Sequence, residues 1–293
     1  MHKIIVITGP TAVGKTKLSI ELAKKYDGEI INADAVQVYK GLDIGSAKVT
    51  EEEKEGILHH LLDFKEVTEE YTIYHYQKDC REKIKDIQSR NKTPILVGGT
   101  GLYIKAALYD YKLSEEKSTN TYDNLTNEEL YEELKKLDKD IIIDKDNRRR
   151  LIRAINYYKE NNESINKNKT NKLLYNVIFI GLTTDRQVLY DKINKRVDEM
   201  ISQGLLEEVK SFYDKGIKSK PLLNAIGYRE LYNYLDGNCT KEEAIEKIKQ
   251  NSRHYAKRQY TFFNHQLPVV WFETDYNNFN NTIEKVASYI DSN

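Results

Sequence analysis

Eight residues near the amino end, GPTAVGKT, have the spacing of a phosphate-binding loop, G-x-x-x-x-G-K-[ST]. In such a loop the backbone N–H groups converge on phosphate oxygens, the lysine neutralises phosphate charge, and the final hydroxyl is a ligand of Mg²⁺. We therefore predict a diphosphate- or nucleotide-binding site with Thr16 as the metal ligand, formed by Gly9, Pro10, Thr11, Ala12, Val13, Gly14, Lys15 and Thr16.

An aspartate, Asp34, follows the second short apolar run, in the segment NADAVQVYKGLDIGSAK (Asn32–Lys48). The carboxyl ends of parallel strands frame the ligand crevice of a sheet, so Asp34 is expected to face the phosphate loop. There it could act as general base for a nucleophile lying against the phosphate. The alternative is that Asp34 only caps its own loop.

The sequence lacks the aspartate that NTPases use for nucleotide hydrolysis. Motor and switch NTPases carry an aspartate at the end of a neighbouring strand to organise Mg²⁺ and water. Here the corresponding run, Pro94–Val97, continues into Gly98 and Gly99 instead. The loop alone remains compatible with a small-molecule kinase that uses ATP, in which Asp34 would deprotonate an acceptor hydroxyl.

Short apolar runs alternate with helical patterns along most of the chain. Strands are predicted at Lys3–Thr8, Glu29–Asn32, Pro94–Val97, Val177–Leu182 and Val269–Phe272, and helices at Lys15–Lys25 and Tyr74–Ser89, with another through Ala106 and Leu108. This alternation predicts an α/β fold: a P-loop NTPase-like parallel sheet flanked by helices.

The strand signal disappears between Tyr111 and Leu173. Helices are expected at Glu128–Leu137 and Asn147–Tyr158, followed by a polar connector at Asn161–Asn171. We therefore predict a catalytic core of residues 1–112 and 174–293, interrupted by an α-helical insertion domain of residues 113–173.

Overall charge and composition exclude several classes of protein. The 293 residues carry no net formal charge, but Lys145–Lys172 is basic and follows an acidic stretch. No apolar run approaches the ~18 residues of a membrane span, and the amino end enters a strand without a signal-peptide pattern. The two cysteines and six histidines lack zinc-ligand spacing. We expect a cytoplasmic protein, with a monomer as the default.

Four motifs in this order, GPTAVGKT, DAVQVYKGLDIGSAK, HHLLD and GGTGLY, resemble those of tRNA dimethylallyltransferases, also called tRNA isopentenyltransferases. The later stretches RRLIRAI, KINKRVDEMISQGLLEEV, AIGYREL and RHYAKRQYTFF agree, so the resemblance extends over nearly the whole chain. The family transfers a dimethylallyl group from dimethylallyl diphosphate to N6 of the adenosine just 3′ of the tRNA anticodon and releases diphosphate.

The resemblance implies roles for individual residues. The phosphate loop would hold the diphosphate leaving group, with Lys15, Thr16 and Mg²⁺, Thr100 and Arg196 stabilising its growing charge. Asp34 would accept the N6 proton of an adenine extruded from the anticodon loop. The segment Asp34, Ala35, Val36 and Gln37 would read this base, because the Gln37 amide offers the donor and the acceptor that an adenine edge demands.

Two basic stretches suit the RNA partner, although a solvated helix face is the plain alternative for each. The residues expected to contact tRNA, together with Asp34 to Gln37 and Thr100, are Arg149, Arg150, Arg153, Tyr228, Arg229, Lys257 and Arg258. The chain departs from the family at Ala35, where serine is usual, and at Asn264, where arginine is common. The helical insertion is also shorter than usual before Asn124.

Two further alternatives remain at this point. Prenyl transfer to free AMP would make the basic insertion unnecessary. A non-enzymatic RNA-binding module would not need Lys15, Thr16, Asp34, Thr100 and Arg196, all of which are present.

Overall fold

The computed structural model describes residues 3–111, 113, 122–166 and 172–293, and a parallel sheet of six strands lies at the centre of this part of the chain. The strands are β1 (Ile4–Thr8), β2 (Gly28–Asn32), β3 (His59–His60), β4 (Thr93–Val97), β5 (Val177–Thr183) and β6 (Val270–Glu273). Their order is β3-β2-β4-β1-β5-β6, and every neighbouring pair is parallel. The predicted α/β fold is confirmed.

Strands β1, β2, β4 and β5 each contain two or more successive apolar residues because the sheet is covered on both faces. All five residues of β1 are buried, and its Ile5 pairs with Ile95 of β4. Strand β3 was not predicted, since two residues are too few to form a pattern. It pairs with β2, and the ring Nε2 of His60 lies 2.7 Å from the Glu29 carboxylate.

Helices flank the sheet and complete the core. Those of the first part of the chain are α1 (Lys15–Lys25), α2 (Glu51–Lys54), α3 (Ile73–Ser89) and α4 (Gly101–Leu108). After β5 follow α7 (Arg186–Ser202), α8 (Leu205–Tyr213), α9 (Lys220–Asn224), α10 (Tyr228–Leu235), α11 (Lys241–Gln266) and α12 (Phe279–Ser292). One apolar core joins Ile5 and Ile180 of the sheet to Leu22 of α1, Ile193 of α7 and Val286 of α12.

The chain divides into two units, Met1–Ala107 with Tyr175–Asn293, and Leu108–Leu174. The second unit contains α5 (Asn127–Leu137) and α6 (Arg148–Asn161), which match the two predicted helices. It has a core of its own, which includes Leu130, Leu134, Leu151 and Ile155. Residue 112, at the predicted domain boundary, and residues 167–171 of the predicted connector lie outside the described residues.

The helices were also compared with the length and apolarity that a membrane span requires. Within the described ranges, none of them is long and apolar enough to cross a membrane.

Candidate active site at the carboxyl edge of the sheet

Strand order brings the three predicted motifs together. Strands β2, β4 and β1 are adjacent, and the loops that follow them contain Asp34, Thr100 and the phosphate-binding residues respectively. Hydrogen bonds join these ends: the Thr8 hydroxyl donates to the Gly98 carbonyl at 3.0 Å, and the Thr100 N–H donates to the Ala33 carbonyl at 3.1 Å. The motifs therefore form one edge of the sheet.

A cavity of about 630 Å³ opens at this edge, within the size range of small-molecule sites. Its walls include the phosphate loop, the segments Asp34–Gln37 and Gly98–Thr100, and side chains of α7 and α11. Four cationic side chains line it, Lys15, Arg196, Arg229 and Arg258, against the one carboxylate of Asp34. This charge balance favours a polyanionic ligand.

Backbone conformation explains the two glycines of the phosphate loop. Gly9 and Gly14 have φ of 133° and 92°, a region that residues with a Cβ rarely adopt. A Cβ on Gly9 would also lie 2.5 Å from the Leu182 carbonyl oxygen. After Gly14, helix α1 begins at Lys15 without a side-chain cap, so its first N–H groups can bind an anion.

The surroundings of the two cations beside this loop, Lys15 and Arg196, disfavour their charged forms. The Lys15 ammonium donates to the Pro10 carbonyl at 2.6 Å. Burial, and then the nearby Arg196 charge, lower the pKa of Lys15 to about 7, while Asp34 opposes the shift. Burial also lowers the pKa of Arg196, whose Nη1 donates to the Thr11 hydroxyl at 3.0 Å. An anion bound here would relieve both groups.

Asp34 both caps its loop and faces the cavity. Its Oδ1 accepts hydrogen bonds from the N–H groups of Val36 at 2.8 Å and Gln37 at 3.4 Å. A carboxylate has acceptor sites on two oxygens. The capping role therefore leaves capacity for a proton from a ligand, and the two predicted roles of Asp34 are compatible.

Thr100 connects two walls of the cavity. Its Oγ1 accepts the N–H of Ala35 at 3.0 Å, which fastens the loop after β4 to the segment after β2. A hydroxyl that accepts one hydrogen bond retains its own proton to donate. Thr100 can therefore direct a hydrogen bond into the cavity beside Asp34.

Gln37 differs from expectation. Its side-chain nitrogen donates to the carbonyls of Ser46 at 3.0 Å and Ala47 at 3.2 Å. Both amide hydrogens are used within the protein, so the prediction that Gln37 offers a donor to the base is wrong for this conformation. The acceptor Oε1 remains, and Ala35 and Val36 line the cavity as expected.

The structure also bears on the predicted RNA contact of Tyr228. The expected contact with tRNA is wrong, because the side chain is completely buried. Its hydroxyl donates to the Glu208 carboxylate, and its ring lies where a Cβ on Gly45 would stand. The neighbouring Arg229 does line the cavity, with its guanidinium bound to Glu230 at 2.6 Å.

The other predicted RNA contacts lie in two places. Lys257 and Arg258 are exposed on α11, and Arg258 reaches the cavity. In the second unit, Arg149 and Arg150 are exposed in the first turn of α6, and Arg153 is half-buried on the same helix.

Two other residues in or beside the basic stretches make hydrogen bonds within the protein. Arg148, beside the predicted arginines, donates to the carbonyls of Leu125 and Tyr122. Asn264 accepts the Trp271 indole N–H at 2.9 Å.

Thr16 could hold a metal only together with a ligand. It is exposed at the cavity. Among the described residues, no group of three or more His, Cys, Asp or Glu side chains could hold an ion. Mg²⁺ commonly takes one or two protein ligands and completes its shell with substrate phosphates and water. One hydroxyl beside a bound diphosphate fits that requirement.

Three residues near the cavity were missed in the sequence. Tyr255 and Gln259 of α11 line the cavity, and Glu208 of α8 accepts the N–H groups of residues 43–45. The clustered glycines of GGTG did indicate that another part of the chain packs closely against this loop. Nothing in the sequence identified that neighbour as α11.

Comparison with known proteins gives consistent results. Residues 37–266 match the family model for IPP transferase. A tRNA dimethylallyltransferase of Anoxybacillus flavithermus is 50% identical over 99% of this chain and 96% of its own length. The crystal structure of a tRNA delta(2)-isopentenylpyrophosphate transferase from Staphylococcus epidermidis has 40% identity and a TM-score of 0.77, covering all of both chains. A eukaryotic dimethylallyltransferase, studied in structures acting on tRNA, has 29% identity and a TM-score of 0.88, covering all of this chain and 79% of its own.

Proposed function

This chain belongs to the tRNA dimethylallyltransferase (IPP transferase) family, and we propose that the cavity at the sheet edge is the site of its reaction. The enzyme transfers a dimethylallyl group from dimethylallyl diphosphate to N6 of the adenosine on the 3′ side of the tRNA anticodon, and it releases diphosphate. One observation supports the location best: the cavity joins a phosphate loop and its two cations, Lys15 and Arg196, to the Asp34 carboxylate.

The phosphate loop serves the leaving group. As the bond between the allylic carbon and oxygen breaks, negative charge grows on the diphosphate. The N–H groups at the start of α1, the Lys15 ammonium and the Arg196 guanidinium then stabilise the transition state more than the ground state. No phosphoryl group moves. Family membership therefore excludes the small-molecule kinase, and the same finding makes tRNA the acceptor instead of free AMP.

Thr16 is the residue of this site whose hydroxyl would hold a Mg²⁺ ion. When bound, it would neutralise charge on the departing oxygens. The exposed position of Thr16 at the cavity supports this assignment.

Asp34 acts on the nucleophile. The adenine must leave its stack for N6 to reach the allylic carbon. Asp34 accepts the N6 proton as the new C–N bond forms, and the Thr100 hydroxyl orients the reacting groups. Buried apolar side chains of the cavity wall, Ile193, Val197 and Ile248, suit the five-carbon group and exclude water.

The tRNA is bound by basic residues, of which Arg153 is half-buried and the others are exposed. Arg229, Lys257 and Arg258 lie on the first unit, where Arg229 and Arg258 also line the cavity. Arg149, Arg150 and Arg153 lie on α6 of the second unit, which we assign as the insertion that contacts the anticodon arm.

Substitution of Asp34 by asparagine tests the mechanism. Asparagine keeps an Oδ1 that can cap the turn, but it cannot accept a proton. With labelled dimethylallyl diphosphate and unmodified tRNA, Asp34→Asn should lower kcat by at least ~10²-fold. The Kd for tRNA should change by less than about twofold, because the variant keeps the turn and all basic contacts.

Asp185→Asn is the matched control. Asp185 uses its Oδ1 in the same way, on the N–H groups of Gln187 and Val188, but it does not line the cavity. It should leave kcat unchanged. A wild-type-like kcat in Asp34→Asn would exclude Asp34 as the base, whereas label absent from RNA in the wild type would refute the reaction itself.

A further inference from the structure

The loop after β4 lies directly under helix α11. A Cβ on Gly99 would be 2.1 Å from Nε2 of Gln259, and a Cβ on Gly101 would be 2.2 Å from the Phe262 ring. These glycines therefore permit close packing of a helix. The contact joins residues about 160 positions apart at the active site.

Gln259 is the polar side chain of this contact. It is 5% exposed, and its Nε2 donates to the Gly99 carbonyl at 3.0 Å. Its Oε1 is buried and, within the described part of the chain, has no hydrogen-bond partner. A buried amide with an unsatisfied acceptor is less favourable than a hydrocarbon of the same shape. The amide of Gln259 therefore lowers the stability of the fold. This cost indicates that the amide has a functional role in addition to packing.

The Gln259 hydrogen bond ends one residue before Thr100. Thr100 in turn binds the Ala35 N–H at 3.0 Å, and Ala35 follows Asp34. Tyr255 lies one helical turn before Gln259, and its hydroxyl interacts with the side chains of both Thr100 and Gln259. Helix α11 thus reaches the reacting region through Gly99 and Thr100.

We propose that Gln259 is a positioning residue for the transfer reaction: by holding the Gly99 carbonyl, it keeps the Thr100 hydroxyl aimed into the cavity beside Asp34. The inference rests on the proposed role of Thr100 at the reacting groups. Gln259 acts through this loop, because its own side chain is only 5% exposed.

The first test replaces the amide by a hydrocarbon of similar size. Gln259→Leu should lower kcat by about 10- to 100-fold, the range expected when a reacting group is displaced by about 1 Å. The KM for tRNA should change by less than about twofold, because the exposed basic residues are untouched. Gln250→Leu, at an exposed position of the same helix, should leave both constants unchanged.

A double-mutant cycle with Thr100→Val tests the route. If Gln259 acts through Thr100, adding Gln259→Leu to Thr100→Val should lower kcat by less than about twofold more. Multiplication of the two single effects would overturn the proposal. Full activity of Thr100→Val would overturn it as well, and it would remove Thr100 from the proposed mechanism.

A third variant separates positioning from packing. In Gln259→Glu only the protonated carboxylic acid can donate to the Gly99 carbonyl, and burial near Asp34 raises its pKa. The activity of Gln259→Glu relative to wild type should therefore rise from about pH 8 to about pH 6. Groups that titrate in both proteins cancel in this ratio. A ratio that stays flat would contradict the donor role of Gln259.

Hydrogen exchange tests the contact without reference to activity. The amides of residues 98–103 should exchange faster in Gln259→Leu than in wild type or Gln250→Leu. Unchanged protection would overturn the inference even in an active enzyme. If the wild type failed to prenylate tRNA, the proposed function would fall, and this measurement would still decide whether Gln259 holds the loop.

Discussion

At the scale of single residues, the charge of Lys15 is conditional. Its ammonium is buried against the Pro10 carbonyl and lies near Arg196, and these surroundings lower its pKa to about 7. Near neutral pH, a substantial fraction of the free enzyme therefore carries a neutral lysine. A bound diphosphate favours the ammonium and raises this pKa again.

Donor binding should therefore take up a proton. For a pKa near 7 that rises on binding, uptake by Lys15 approaches about one proton at pH 8 and about 0.1 at pH 6, and affinity falls as pH rises above 7. Calorimetry of dimethylallyl diphosphate in buffers of different ionisation enthalpy measures this uptake. Because the ligand also titrates, the informative quantity is the difference from Lys15→Arg, whose side chain stays charged.

Lys17→Arg provides the control, since Lys17 is exposed two residues further along the chain. It should show the uptake of the wild type. Equal uptake in wild type and Lys15→Arg would mean that Lys15 is already charged in the free enzyme.

Residue type alone predicted some roles better than others. Lys15 and Asp34 line the cavity as expected, because a short local pattern together with the strand ends predicts where they lie. Gln37 and Tyr228 were misjudged because burial and hydrogen-bond partners decide what a side chain can offer. The partners of Gln37 are carbonyls of residues 46 and 47, and the Tyr228 hydroxyl is bound to Glu208.

At the scale of elements, Glu208 links helix α8 to the cavity wall formed by Asp34–Gln37. Its carboxylate accepts the N–H groups of Asp43 at 3.1 Å, Ile44 at 2.8 Å and Gly45 at 3.1 Å, as well as the Tyr228 hydroxyl. Three successive amides facing one anion form a strong local anchor. The residues just after this segment bind Gln37, so the anchor acts on the wall that contains Asp34.

Glu208→Gln should weaken this wall. A side-chain amide cannot accept all of these donors, and its own NH₂ would face one of them. We expect a loss of about 1–3 kcal/mol in the free energy of unfolding and about a tenfold lower kcat/KM for tRNA. The affinity for dimethylallyl diphosphate should stay constant, because the phosphate loop makes none of these contacts.

The neighbouring Glu207 is exposed, so Glu207→Gln is the matched control. Urea unfolding and steady-state kinetics of both variants measure the difference. If the two variants had the same free energy of unfolding and the same kcat/KM for tRNA, the proposed anchoring role of Glu208 would be excluded.

Elements themselves were predictable where burial produced a long pattern. The strands β1, β2, β4 and β5 each have successive apolar residues at their centre because both faces of the sheet are covered. Strand β3 was missed because its two residues are defined by pairing with β2, and pairing is a tertiary property.

At the scale of the whole molecule, the second unit begins and ends at neighbouring points. The Leu174 N–H donates to the Leu108 carbonyl at 2.9 Å, and Tyr109 pairs with Leu173. Loss of the strand pattern after Tyr111 indicated such an insertion. The contacts that complete the active site, such as Arg196 with Thr11, join residues 185 positions apart, and no local pattern encodes them.

The arginines at the start of α6 are unfavourably placed for stability. Arg149 and Arg150 are exposed in the first turn, where the helix dipole already supplies positive charge and acidic residues are preferred. Within the described part of the chain, neither arginine has an ion pair that would offset this cost, as expected where the charge serves a ligand. The phosphates of tRNA are that ligand in the proposed function.

Replacing both arginines by alanine should therefore stabilise α6 and weaken RNA binding at the same time. Helix protection, measured by hydrogen exchange, should rise by about 0.5 kcal/mol per arginine. The slope of log Kd for tRNA against log salt should fall by about 1 for each charge removed. Lys159→Ala, near the other end of α6, removes an ion pair with Glu133 and should lower protection without changing the slope. An unchanged salt slope in the double variant would show that α6 faces solvent, and the tRNA would then be held by the basic residues of the first unit alone.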